Sequence, residues 1–161
     1  MKSKAARSGG VFISDLSAES GAATLIEALE LYPGGHIEFV SRSQLNGDAL
    51  QERLQRAAYL VLPALSDEPM PRPLIEAFAN GVPVIASRVG SAADLIEPGR
   101  NGLLFEPGSA RDLARRLAWA DAFPEKMRQM GECARADYQA RFMAHWSYQT
   151  LFRERRRSER A

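Results

Sequence analysis

Short apolar runs alternate with amphipathic stretches along this chain, and their spacing predicts its elements. Tyr59, Leu60, Val61 and Leu62 form a continuous apolar run of strand length. Pro63 has no N–H to give a sheet ladder, so that strand stops there. Residues 64–72 are too polar and proline-bound for a core segment and read as a loop. Pro73 suits the first turn of a helix, where a missing N–H costs little. Leu74, Ile75, Ala77 and Phe78 give that helix its apolar side. Asn80 and Gly81 end it, because both tolerate a left-handed backbone. Val82, Val84, Ile85 and Ala86 then make a second strand.

The same reading extends in both directions. Val11, Phe12 and Ile13 predict a strand, followed by a turn and a helix over roughly 21–31 with Ser20 as its N-cap. Leu25, Ala28, Leu29 and Tyr32 fall on one face of that helix, and Pro33-Gly34-Gly35 stops it. Ile37, Phe39 and Val40 make the next strand; Asn46 or Asp48 caps the helix after it. Beyond residue 90 come a short helix from Ala92 to Ile96 and a strand of Leu103, Leu104 and Phe105. Ser109 and Asp112 form a capping-box-like pair opening a helix with Leu113, Leu117 and Ala120. A last helical region runs from about 125 to 157, broken near Tyr138–Phe142.

Strand, loop, helix, turn, strand is a βαβ unit. Strands apolar on both faces imply a parallel sheet covered by helices on each side. Ligands of such sheets bind beyond the carboxyl ends of the strands. That rule selects residues 64–72 and 88–94, and it sets two carboxylates, Glu68 and Glu76, beside the cleft.

Composition narrows the classes. The organisation expected is a flexible tail over 1–10, one α/β domain over 11–124 and a helical extension over 125–161. The formal charge of +1 speaks against a general attraction to nucleic acid. That charge is uneven: residues 1–110 carry 9 basic and 13 acidic side chains, residues 111–161 carry 12 and 7. The terminal RERRRSER is short and mixed in sign, so any membrane contact is expected to be peripheral at most. A single cysteine, Cys133, excludes an internal disulfide, and His36 and His145 have no spaced partners for a metal site. With no apolar run near the ~18 residues of a spanning helix and no signal-like start, a cytoplasmic location is the default.

Three stretches carry a resemblance: LVLPALSDEP, PLIEAFANGVPVIASRVG and DLIEPGRNGLLFEPGSARDLARRL. Within them Glu68 and Glu76, with seven residues between, resemble the E-x7-E signature of retaining GT-B glycosyltransferases of family 4. The chain resembles the carboxyl-terminal, nucleotide-sugar-binding half of those enzymes over roughly residues 57–118, with a weaker match in FISDLSAESGAATLIEALELYPG. The implied fold is α/β, a three-layer Rossmann-like parallel sheet: one trimmed GT-B carboxyl-terminal domain with terminal helices. The implied function is binding a nucleoside-diphosphate sugar, UDP- or GDP-linked, for retaining transfer of a hexose-type sugar. No cofactor or metal is implied.

The resemblance also assigns residues. Glu76 falls at the carboxylate that accepts from the ribose hydroxyls, and Glu68 at the one near the donor sugar, taken as catalytic. Met70, Pro71, Arg72, Pro73 and Leu74 fall where donor sugar or diphosphate is held near a helix N-terminus. Departures accompany the match. Asp15 stands where the family has an arginine and Ser20 where it has a lysine, both of which neutralise the diphosphate. Pro71 and Pro73 remove two N–H donors, leaving Arg42 and Arg88 as candidate phosphate-side cations. Between Tyr32 and Ile37 the family carries a further strand, turn and helix that this chain lacks, and no amino-terminal acceptor domain is present.

The expected partners are therefore a nucleotide-sugar and either a separate subunit resembling the amino-terminal domain or a second copy. The other class of function is a catalytically inactive binding or assembly module that kept the scaffold; a fragment with no independent role is the third. Asp94 reads as a helix N-terminal cap or a ligand contact. Trp119, Phe123, Trp146 and Phe152 read as packing between the last helices and the sheet, with an interface as the alternative; the resemblance implies that an exposed part of 140–157 docks a separate subunit.

Overall fold

The computed structural model describes residues 7–14, 20–67 and 71–142. Its sheet has five strands: β1 (Gly10–Ser14), β2 (Ile37–Ser41), β3 (Tyr59–Leu62), β4 (Val84–Ser87) and β5 (Gly102–Phe105). All neighbours pair in parallel, in the order β2-β1-β3-β4-β5. The helices are α1 (Ala22–Leu31), α2 (Gly47–Arg56), α3 (Arg72–Ala79), α4 (Gly90–Leu95), α5 (Ala110–Ala122) and α6 (Pro124–Asp137). A 3-10 turn, Arg42–Gln44, follows β2, and a π-helical turn, Tyr138–Phe142, follows α6 where the sequence places a break.

Side chains alternate across the sheet as the period of two requires. Val11, Ile13, Leu60, Val84 and Leu104 face α2 and α3, where Leu50, Leu54, Leu74, Ile75 and Phe78 meet them. Phe12, Tyr59, Val61, Ile85 and Phe105 face α1 and α5, against Leu25, Ala28, Leu113 and Leu117. This is the three-layer α/β arrangement expected from apolar parallel strands. Helix α6 belongs to both sides, with Met127 and Met130 in the second cluster and Ala134 in the first.

Two caps match expectation: Asn46 accepts from the Ala49 N–H at 2.8 Å, and Ser109 from the Asp112 N–H at 3.2 Å. Two do not. Ser20 does not cap α1; Gly21 holds that position with φ 79° and no side-chain bond. Glycine is required at that position, since a Cβ on Gly21 would lie 1.8 Å from the Pro63 carbonyl oxygen just past β3. After α3, Asn80 stays at φ −95° and only Gly81, at φ 70°, turns left-handed.

Two carboxylates, one half-buried and one buried, tie the layers together. Asp121 of α5 accepts from the Tyr32 hydroxyl at 2.8 Å and the Tyr59 hydroxyl at 2.9 Å. Burial and the Asp121 charge push the Tyr59 phenol well above its ordinary value. Asp137, 6% exposed, takes a fork from Arg100 at 2.6 and 2.8 Å and a bond from Asn101 at 2.8 Å. The Arg100 bonds, reinforced by Asn101, hold its carboxyl below the usual range.

A carboxyl with a depressed folded pKa adds stability that is complete above its unfolded value, ~4, and disappears as pH falls through the folded one. Asp137→Asn should lower the unfolding free energy at pH 7 by about 2 kcal/mol, by loss of charge-assisted bonds. It should also flatten the acid limb of a stability-versus-pH curve measured by urea denaturation. Gly21→Ala should cost about 2–4 kcal/mol through left-handed strain and the Pro63 contact, read in the same assay.

Candidate functional site

Strand β1 is followed by β2 on one side and, by way of α2, pairs with β3 on the other, so the topology reverses between β1 and β3. An open α/β sheet places its ligand crevice at the carboxyl ends of such a pair. Here the β1–β3 ladder registers only Gly10↔Tyr59 and Val11↔Leu60, while β1 continues to Ser14 and β3 to Leu62. The start of α1 seats Gly21 against Pro63 beside this point.

The loop after β3 is held down before it reaches Glu68. The Ser87 hydroxyl donates to the Ala64 carbonyl, and the Ser91 N–H donates to Asp67 Oδ1 at 2.9 Å. Gly90, at φ 53°, makes the second contact possible, because a Cβ there would fall 1.9 Å from that oxygen. Asp67 therefore caps α4, and Asp94, in the last turn of α4, does not. A shallow depression between this loop and α4 is lined by Leu62, Ala64, Pro71, Ser87, Val89 and Ala92, among others. Glu68 and Met70 lie outside the described residues, as do Asp15, His145, Trp146 and Phe152.

Glu76 stands on α3, one turn in from its amino-terminal end, with its side chain 25% exposed. Arg42, the first residue beyond β2, grips it in a fork: Nη1 to Oε1 and Nη2 to Oε2, both 3.2 Å. Arg72, one turn earlier on α3, brings its Nε to 3.6 Å from Oε1. Two guanidiniums from different layers thus meet one carboxylate at the carboxyl-terminal side of the sheet.

The start of α3 offers few donors. Pro71 and Pro73 have none, and the Leu74 and Ile75 N–H groups both bond to the Pro71 carbonyl, at 3.1 and 3.2 Å. Leu74 is fully buried in the core, so its side chain contributes packing. Of the five backbone positions over 71–75, only Arg72 retains an N–H outside those bonds. Arg88 is exposed at the end of β4, and its guanidinium makes no hydrogen bond or ion pair among the described residues. The Ser20 hydroxyl is shut from solvent with no partner there either.

His36 is exposed before β2, and its carbonyl accepts from the Gly10 N–H at 2.9 Å. Cys133 is half-buried on α6. Trp119 packs on the α5 face of the core, and Phe123, 44% exposed, lies 5.0 Å from it between ring centroids. Among the described residues, no group of three His, Cys, Asp or Glu side chains is placed to hold a metal ion, and no helix is long and apolar enough to cross a membrane. The Arg42–Glu76 and Asp67–Ser91 contacts were missed by sequence reasoning. Both join residues more than twenty positions apart, beyond the reach of any local pattern.

A five-stranded parallel sheet with helices on both faces and a switch point between β1 and β3 defines a Rossmann-like domain of the GT-B carboxyl-terminal type. The chain belongs to the glycosyl transferases group 1 family, whose model matches residues 19–137. It is 33% identical over 111 residues to an exopolysaccharide phosphotransferase of Streptomyces coelicolor, a match spanning 68% of this chain and 11% of that protein. Sucrose-phosphate synthase from Thermosynechococcus elongatus superposes with a TM-score of 0.76 at 25% identity, over 93% of this chain and 47% of that one. Anabaena HepE, solved in complex with UDP and glucose, gives 0.76 at 22%, over 92% of this chain and 48% of that one. The chain thus spans about half the length of these solved relatives and a smaller share of the curated one.

Because all three side chains at Glu76 are partly exposed, the ion pairs contribute little to folding. Glu76→Ala should leave the unfolding free energy within about 1 kcal/mol of wild type by urea denaturation.

Proposed function

We propose that this chain is the donor domain of a retaining glycosyltransferase, binding a nucleoside-diphosphate sugar and acting with an acceptor domain that these 161 residues do not supply. The observation that carries this reading is Glu76, a partly exposed carboxylate beside the switch point of a group 1 glycosyltransferase domain. A carboxylate has acceptor sites for two vicinal hydroxyls, which suits a ribose. In this reading Glu76 takes the ribose hydroxyls, and Glu68 faces the sugar and stabilises charge developing at the anomeric carbon. HepE, whose fold this chain shares, was solved with UDP and glucose, which supports a nucleotide-sugar as the ligand. Transfer of a hexose-type sugar to a glycan or lipid-linked acceptor is the reaction.

The second reading, an inactive binding or assembly module, draws support from the start of α3. Its two prolines and the Pro71-bonded N–H groups leave little there to hold a phosphate.

Calorimetric titration of the purified chain with UDP, GDP and their hexose conjugates separates the two. The donor reading expects a dissociation constant below about 1 mM, ~4 kcal/mol, for one nucleotide. Glu76→Ala should weaken it at least tenfold with folding intact. A folded chain giving no heat with any of them favours the inactive module.

A further inference from the structure

The two edges of the sheet are finished differently. At β5 the outward carbonyls are spent within the chain: Gly102 accepts from the Gly99 N–H at 2.9 Å, and Leu104 from Arg116 Nε at 3.0 Å. An edge covered in this way is no template for another strand. At the other edge, β2 has no such cover among the described residues. The Gly10 N–H donates to the His36 carbonyl at 2.9 Å, so the even spacing of a parallel ladder turns Glu38 and Val40 toward β1. The N–H and C=O groups of Ile37 and Phe39 therefore point outward, where the sheet has no further strand. Neither bulge nor proline blunts this edge, since its five residues register one to one with β1.

The side chains of β2 are left open as well. Phe39 is 49% exposed and meets Phe12 edge to face, with ring centroids 5.5 Å apart. Helices α1 and α5 cover that face by packing against each other, which leaves β2 at the margin. On the opposite face Glu38 is paired with Arg53, and both side chains stay partly exposed.

This edge is complementary to itself. In an antiparallel pair about a two-fold axis at Phe39, the two Phe39 residues exchange both of their outward backbone bonds. Their rings then lie opposite each other, and Phe12 of each chain extends the row. In the same register the two Glu38 positions are diagonal neighbours, about 7–8 Å apart along the backbones. Two carboxylates alone would repel there. Each brings its Arg53, so four charges of alternating sign meet across the axis. A charge pattern that complements its own image selects a copy of this chain over an arbitrary strand.

We propose that the outer edge of β2 is a homodimer interface, joining two five-stranded sheets through Phe39 with the Glu38–Arg53 pairs alternating across the axis. The proposal does not depend on the donor reading.

The test is sedimentation equilibrium of the 161-residue chain at low ionic strength. Wild type should dimerise with a dissociation constant below about 100 μM. Phe39→Lys, which sets a charge at the axis, should weaken the dimer at least tenfold. Glu38→Arg makes the charged patch wholly positive and Arg53→Glu makes it wholly negative, so each alone should also lose at least tenfold. Mixed in equal amounts, these two variants should recover the association, because their patches attract. Both change partly exposed side chains, so this arm stands even if Phe39→Lys does not fold. A wild-type chain that is monomeric at about 100 μM overturns the proposal. So does a dimer unaffected by Phe39→Lys in its folded form, or a mixture that associates no better than its components.

Discussion

The carboxyl-terminal end of the sheet depends on how β1 lies between β2 and β3. A parallel strand must be reached by a crossover, and the chain makes one crossover on each face around β1: α1 on one side, α2 on the other. Reversal of direction at β1 sets the switch point, and the ladder to β3 beside it registers two residue pairs. Gly21 is the price of closing that end, since only a residue without a Cβ lets α1 start against the Pro63 carbonyl. From there, the positions of the β3 loop, α3 and α4 follow.

Around this end of the sheet, charges are held by one another. Asp67 is spent on the start of α4, Glu76 on Arg42 and Arg72, and Arg88 alone among the cations discussed stands free among the described residues. On the far side, Asp121 and Asp137 are engaged with phenols and with a guanidinium and an amide. The two groups of carboxylates differ physically. Asp137 is nearly buried and fully bonded, which makes it a fastening. Glu76 is partly open and paired at longer distances, and such a pair gives way to a competing ligand at small cost.

Much of the fold is legible in the order of residues because the signals are local. Five apolar runs of strand length, each bounded by proline, glycine or a polar turn, marked five strands. Ser109 and Asn46 announced their caps because a side-chain oxygen reaches an N–H only two or three residues on. Ser20 is not the cap, because α1 starts one residue later, at Gly21, whose contact with Pro63 comes from a distant part of the chain. Asp94 failed as a cap for a similar reason, since Asp67 arrives from a different loop.

By itself, then, the sequence determined the elements and the parallel sheet they build, which follow from period, propensity and spacing acting over a few residues; the family it showed through the resemblance of whole motifs. Tertiary structure alone decided what each charge meets. Arg42 and Glu76 are 34 positions apart and Arg100 and Asp137 are 37 apart, and no local rule joins them. Only the crossovers bring such pairs within hydrogen-bond range, where Coulomb attraction and desolvation settle which cation serves which carboxylate.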